Sequence, residues 1–390
     1  MDPAALFEFL KGNIIEYQAD RETVCLVEMD EEPPGPLNRE ALDLAITFGL
    51  MVGSRPVDEV HVMRKTVVDG SNTGGFQRTC VTALGGEITL NGKKYGLQQI
   101  CLEEDAARKV AEEDNKVTYK LDRLGIPLME ITTAPDIHSP EEARLVAERI
   151  GSLLRSTGKV KRGLGTIRQD LNVSIKGGSI IEIKGVQDLK ILSKVVEYEA
   201  KRQANLLEIK EELHKRDLKK EKILDSQIIV SEVFNGTQSS IIKNALKKGG
   251  SVWAVKLPGF TGLTGKELCP GRRLGTELSE HAQFKGGVKG IFHTDEVPAY
   301  GLTENEILAL RTSLNSDEGD SIVFVADEDE NCHKALTAVV LRARSALDGV
   351  PEETRSANPD GTTRYTRPRP GSARMYPETD IQLINISPDR

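Results

Sequence analysis

Apolar positions recur at two spacings along this 390-residue chain, and the changes of spacing mark its elements. Over residues 39–52, Ala41, Leu42, Ala45, Ile46 and Leu50 fall at helical intervals. Ser139-Pro140-Glu141-Glu142 is a helix start: Ser139 can cap, Pro140 suits the first turn and Glu142 can close a capping box. Val146, Ile150, Leu153 and Leu154 continue that helix, and Gly158 ends it. Residues 57–69 read as strand, running into the loop Asp69–Gly75. Alternation governs 166–185, where Leu171 and Val173 alternate with Asp170, Asn172 and Ser174, and Ile181 and Ile183 with Glu182 and Lys184. A loop from Lys176 to Gly178 sets Val173 opposite Ile181 and Asn172 opposite Glu182, which keeps one face apolar; a tighter Gly177-Gly178 turn would mix the faces. Arg168, Asp170, Asn172, Glu182 and Lys184 then share the polar face. Asp188 caps a long helix to about Lys215. Residues 1–20 form a stub, in which Leu6, Phe7, Phe9 and Leu10 suit a short helix. Residues 216–245 look like a boundary, and a second unit starts near Ser251. It carries a Thr303–Glu306 capping box, a strand over Ser321–Ala326 and a helix to about Leu347. Strands and helices are mixed, so the class is α+β or α/β.

The length suggests two or three domains, at ~100–200 residues each. No apolar run approaches the ~18 residues that cross a bilayer, and the start MDPAALFEFLKGN lacks the pattern of a secretion signal. No membrane role is expected. Cys25, Cys80, Cys101, Cys269 and Cys332 are scattered without a CxxC, so a zinc knuckle or disulfide framework is unsupported and a reducing, cytoplasmic setting is the default. The net charge of −8 means that any nucleic-acid partner must be met by a local basic patch. With 4% aromatic residues and a single Trp, stacking platforms for single strands are not evident.

Glu103-Glu104-Asp105 follow the apolar Ile100-Cys101-Leu102. Acids at a strand end can alternate faces, so one can point inward, although the pattern alone favours a solvated end. Glu130 interrupts Ile126–Ile131, and either loses solvation and needs a cation or donor, or lies on the outer face of an edge strand. Asp170 and Glu182 make a second carboxylate pair. If their face met Glu104 and Glu130, the cluster would call for a hard cation, with Mg²⁺ the expected ion; the other reading is a solvated face balanced by Arg168 and Lys184. The Asp69–Gly75 loop, with Ser71 and Asn72, offers backbone donors to a phosphate, or is a plain strand connection; Arg64 and Lys65 lie just before it. His293 with Asp295 and Glu296 reads more simply as adjacent loop polars than as a metal cluster. The tail arginines Arg364, Arg367, Arg369 and Arg374 suit phosphate or a solvated loop.

At Leu121-Asp122-Arg123-Leu124-Gly125-Ile126-Pro127-Leu128-Met129-Glu130-Ile131 the chain resembles the B/E subunits of tRNA-dependent amidotransferases. Leu102–Ala106, Ala134–Ile137, Ile167–Asn172, Tyr198–Gln203 and Met375–Asp380 follow in the family's order. The unit at 246–345, with Pro270-Gly271-Arg272-Arg273-Leu274-Gly275-Thr276-Glu277, is similar to the insertion domain of bacterial-type aspartyl-tRNA synthetases, which points to the archaeal-type E branch. The resemblance implies an α+β, cradle-shaped catalytic domain with a mixed, largely antiparallel sheet. Its first part would span 1–215, a boundary segment 216–245, the insertion 246–345 and a return segment 346–390. It implies that ATP activates the glutamyl γ-carboxylate of Glu-tRNA(Gln) as an acyl phosphate, and that ammonia from an asparaginase-like D subunit then gives Gln-tRNA(Gln). The complex would be a heterodimer or a dimer of heterodimers. By similarity Glu104, Glu130, Asp170 and Glu182 are expected as metal or catalytic carboxylates. By position, Arg64, Lys65, Ser71, Asn72, Arg168 and Lys184 are the expected nucleotide or phosphate contacts. The family's opening Gly-Leu-Glu-x-His strand has no counterpart in Met1–Lys11, and the chain ends soon after Asp380, so it is expected to match the middle of a longer protein. The alternative is a non-catalytic, tRNA-binding scaffold of the same complex.

Overall fold

The computed structural model describes residues 3–113, 115–163, 165–371 and 374–387. The chain forms two compact units. The first holds Met1–Gln169, Gln187–Ser193 and Arg367–Arg390, the second Asp170–Val186 and Lys194–Thr366.

The first unit contains helices α1 (Pro3–Phe9), α2 (Arg39–Met51) and α3 (Pro140–Ser156). Its main sheet runs in the order Pro127–Thr133, Lys93–Glu104, Phe76–Leu84, Met63–Thr66, Met375–Pro377, with every neighbour antiparallel. The α2 helix starts where Asn38 Oδ1 accepts the Ala41 N–H. Its apolar stripe covers one sheet face: Ala45 and Phe48 pack with Ala83 and Ile100, and Leu42 packs with Val60, Cys80 and Leu102. In α3, Ser139 Oγ accepts the Glu142 N–H as expected, but the Glu142 carboxylate reaches the His138 N–H, one residue before the cap. The stretch 57–69 is not one strand. It breaks into Glu59–Val60 and Met63–Thr66 because the two pieces take different partners: the first pairs with Ile384–Asn385, the second with Phe76–Leu84 and Met375–Pro377. The stub at 1–20 does more than expected: Ile14–Gln18 forms a parallel pair with Lys116–Lys120. That partner lies far along the chain, beyond any local pattern.

A long helix, α4 (Leu189–Lys215), opens with Asp188 Oδ1 accepting the Lys190 N–H. The second unit adds α5 (Ser240–Lys247), α6 (Leu274–Gly286), α7 (Glu304–Ser313) and α8 (Asp329–Ala346). One sheet runs Gln169–Val173, Ile181–Val186, Glu353–Ala357, Thr363–Pro368, and its central pair is parallel. The other runs Ile228–Ile229, Ser251–Leu257, Ser321–Asp327, Phe292–His293, all antiparallel. Its core joins Val252, Ala254, Ile322 and Phe324 to Val230, Phe234 and Ile242, which come from the segment read as a boundary. The Thr303–Glu306 capping box is present at the start of α7. The class is thus mixed α and β with largely antiparallel sheets, as the family resemblance leads one to expect.

Candidate functional site

The end of strand Lys93–Glu104 places alternate carboxylates on opposite sheet faces, since successive side chains in a strand point opposite ways. Glu104 lies on the face that carries Ile100 and Leu102. Both of its oxygens receive the Arg78 guanidinium, whose Nε donates at 2.9 Å. Arg78 also donates to the Gly35 carbonyl at 2.6 Å. Glu103 points to the other face and is buried. It accepts from Lys65 Nζ at 2.8 Å and Thr79 Oγ1 at 3.0 Å. Asp105 is bridged by Arg168 at 3.1 Å and Arg123 at 3.4 Å. The three acids are therefore not a solvated strand end. Each is held by a cation from a different segment, and the site is a row of matched charges. Long-range pairing, not the local pattern, buries Glu103.

Glu130 is exposed on Pro127–Thr133, the edge strand of the sheet, directly across from Cys101. Its neighbours Met129 and Ile131 turn to the core. The outer-face reading of Glu130 therefore describes its burial. It is still felt electrostatically: burial first, then Glu130 and Glu103, push the Cys101 thiol up to about 12.

In the second unit, Asp170 and Glu182 do come together, on the polar face foreseen for them. Lys184 Nζ lies 3.0 Å from a carboxylate oxygen of each. The Asp170–Lys184 contact is the one that a Val173–Ile181 register requires. Burial pulls the Lys184 ammonium down, but the two carboxylates outweigh it and hold its pKa above the ordinary value. Thr354 Oγ1 also donates to Glu182, at 2.9 Å.

Arg64 points to the α2 side of its sheet, where it grips Glu378 with two donors at 2.6 and 2.8 Å and Asp380 with a third contact at 2.8 Å. The Glu378 hydrogen bond is the main reason its pKa is raised. Lys65, one residue on, points the other way. In the Asp69–Gly75 loop, the Ser71 N–H and Oγ both donate to Asp69 Oδ1, Asn72 is buried, and the Gly75 N–H donates to the Asn72 carbonyl. These donors serve the turn itself.

The donor chemistry of Glu104, Glu130, Asp170 and Glu182 suits a hard cation, which takes carboxylate oxygens. Among the described residues, no three His, Cys, Asp or Glu side chains gather into a ready cage. His293 stays close to Glu296, at 3.4 Å, and is buried against Gly275. Sequence reasoning passed over Arg78 and Arg123 as partners, and of the three acids it named Glu104 and not Glu103 as the site carboxylate. Strand alternation could have separated Glu103 from Glu104, but no local signal names their partners.

Residues 10–390 match the family described as the GatB/GatE catalytic domain. Among curated proteins, the E subunit of the glutamyl-tRNA(Gln) amidotransferase of Aeropyrum pernix is 56% identical over 388 residues, covering 99% of this chain and 60% of that protein. The E subunit of Thermococcus gammatolerans is 55% identical, covering 100% of this chain and 62% of that protein. That of Pyrococcus abyssi is 54% identical, with 100% and 61% covered. The chain thus spans about 60% of the length of the curated relatives it matches.

Proposed function

The chain belongs to the GatB/GatE catalytic-domain family, and from that premise we propose that it carries the kinase and transamidase chemistry of a glutamyl-tRNA(Gln) amidotransferase. The γ-phosphoryl group of ATP passes to the γ-carboxylate of Glu-tRNA(Gln), and ADP leaves. Ammonia, supplied by an asparaginase-like D subunit in a cytoplasmic heterodimer, then attacks the acyl carbon, and phosphate leaves. We read residues 246–345 as the inserted aspartyl-tRNA-synthetase-like domain. The observation that carries the reading is the row of charge-matched acids at Glu103, Glu104 and Asp105, embedded in a family match over almost the whole chain.

A carboxylate is a poor electrophile, and its activation puts negative charge on transferring phosphoryl oxygens. Lys65, beside Glu103, and Arg168, beside Asp105, are cations suited to meet that charge. Glu104, held by Arg78, is a fixed carboxylate, and Glu130 is an accessible one. Glu104 and Glu130 lie on opposite faces of their sheet and would not share one ion; the accessible Glu130 is the residue that would hold Mg²⁺ in the first unit, and Asp170 and Glu182 those in the second. The ion would neutralise phosphate charge when bound. The matched charges also allow a second reading, a tRNA-holding scaffold without chemistry, since Arg78 and Lys184 already satisfy Glu104 and the Asp170–Glu182 pair.

One assay separates the two. The complete polypeptide, with its D-subunit partner, is given ATP, Mg²⁺ and Glu-tRNA(Gln), and ADP and Gln-tRNA(Gln) are followed. We expect ADP formation to need both Mg²⁺ and Glu-tRNA(Gln), and free glutamate not to substitute. Glu130→Gln should lower kcat by about 10²-fold or more with Tm unchanged, because the side chain is exposed. Salt-sensitive tRNA binding without any ADP formation would establish the scaffold instead.

A further inference from the structure

Residues 150–169 of this acidic chain contain no acid. From Ile150 to Gln169 the charged residues are Arg155, Lys159, Lys161, Arg162 and Arg168. Arg168 is taken by Asp105. Arg155, Lys159, Lys161 and Arg162 are exposed, and none makes an ion pair or side-chain hydrogen bond among the described residues. By contrast Arg144, on the same helix as Arg155, is tied to Glu141 and Glu148.

The loop that follows α3 is built to present this charge. It leaves the helix through Gly158 and turns again at Gly163 and Gly165, with φ of +69°, +124° and +77°. Val160 and Ile167 pack against the core under α2 and α3 and pin the loop at both ends. Lys159 and Lys161 flank the pinned Val160. The Thr157 side chain accepts the Lys159 N–H, and Thr166 Oγ1 donates to the Gly163 carbonyl, which holds the two turns.

We propose that the loop Thr157–Gly163, with Arg155, is a docking surface for the phosphodiester backbone of RNA. Lys and Arg in a cluster without acids are what a phosphate backbone selects, through counterion release. A protein partner is disfavoured by the same residues. Protein interfaces are depleted in Lys, and their hot spots are aromatic, whereas the described residues of this loop contain no aromatic side chain. With no aromatic to stack on bases among its described residues, the loop meets RNA through its cations, the side chains that take phosphate. This inference rests on the proposed tRNA substrate for the class of ligand, and it assigns the surface that meets it.

The test is binding of an in vitro transcribed tRNA(Gln) to the complete chain by fluorescence anisotropy, across a series of KCl concentrations from low to well above physiological. The variant is Lys159→Gln, Lys161→Gln and Arg162→Gln together, at exposed positions outside the packed core. The charge-matched control is Lys247→Gln, Lys248→Gln and Lys289→Gln, exposed residues of the second unit. We expect the loop variant to lower the slope of log K against log salt by about 2, as roughly 0.7–0.9 per lost phosphate contact implies, and to bind at least about tenfold more weakly at moderate salt. The control should keep the wild-type slope. Equal behaviour of loop variant and control would overturn the assignment while leaving the amidotransferase reading intact. Poly-glutamate competing as well as RNA would also overturn it, in favour of an acidic protein. A wild-type chain that binds no tRNA at any salt would defeat both readings, and ADP formation with Glu-tRNA(Gln) in the catalytic assay tells that case from a loss confined to docking.

Discussion

At the scale of single residues, the second unit is organised around buried charge. Arg202 donates to Glu199, Glu277 and Glu353 at 2.8, 2.5 and 2.6 Å. Arg342 meets Glu277 at 2.6 Å, and Arg355 meets Glu353 at 2.5 Å. All of these side chains are nearly inaccessible. Burial alone would raise the Glu353 carboxyl, but Arg355, His281 and Arg202 outweigh both burial and the nearby Glu277 and bring it down to about 2. Its folded pKa thus lies below the ordinary carboxylate value of about 4.3. The stability it contributes is present above that value and is lost as pH falls toward about 2. Glu353→Gln should therefore destabilise the protein by about 3 kcal/mol or more at neutral pH, since it leaves buried guanidinium groups short of a charge. It should also flatten part of the fall in Tm between about pH 5 and pH 2. A variant whose acid profile overlays the wild type would show that Glu353 does not titrate with folding.

At the scale of elements, α6 and α8 approach closely because Gly286 has no side chain. A Cβ there would lie 2.6 Å from both Ala335 Cβ and the Asn331 carbonyl oxygen. Those are main-chain and short side-chain atoms that cannot swing aside. Gly286→Ala should cost about 1–3 kcal/mol by overpacking. Gly236→Ala, at a position where a Cβ meets nothing within 4 Å, should stay within about 0.5 kcal/mol of wild type. Urea unfolding of the two variants measures the difference, and equal midpoints would mean that the helices part without cost.

At the scale of the molecule, the chain leaves the first unit at Asp170, returns at Gln187, leaves again at Lys194 and comes back at Arg367. The last segment closes the first unit. Met375–Pro377 pairs with Met63–Thr66, Glu378 and Asp380 hold Arg64, and Ile381, Ile384 and Ile386 join the cluster of Leu37, Leu42 and Val60. Removing Arg367–Arg390 should therefore loosen a strand that lies near the other end of the sequence. Hydrogen exchange followed by mass spectrometry should show faster exchange over Met63–Thr66, while Ser321–Asp327 in the second unit keeps its protection. Unchanged exchange at Met63–Thr66 would mean that the returning strand adds nothing to that edge.

Local signals sufficed where the physics is local. Ser139 and Thr303 cap their helices because a cap is a contact between residues three apart, and the 166–185 alternation placed Asp170, Glu182 and Lys184 on one face because a strand has period two. The motif around Leu121–Ile131 carried the family for the same reason: it is contiguous in the chain. The tertiary structure alone decided which carboxylates are buried and what neutralises them. Glu103 is dry and Glu130 wet because one strand is central and the other an edge, and sheet order is set by pairings between distant segments. The cations at the site, Lys65, Arg78, Arg123 and Arg168, reach their acids from segments well apart in sequence, at separations where no periodicity reports. Charge pairing follows the folded geometry, so the chain's residue types announced the chemistry while its three-dimensional arrangement chose the partners.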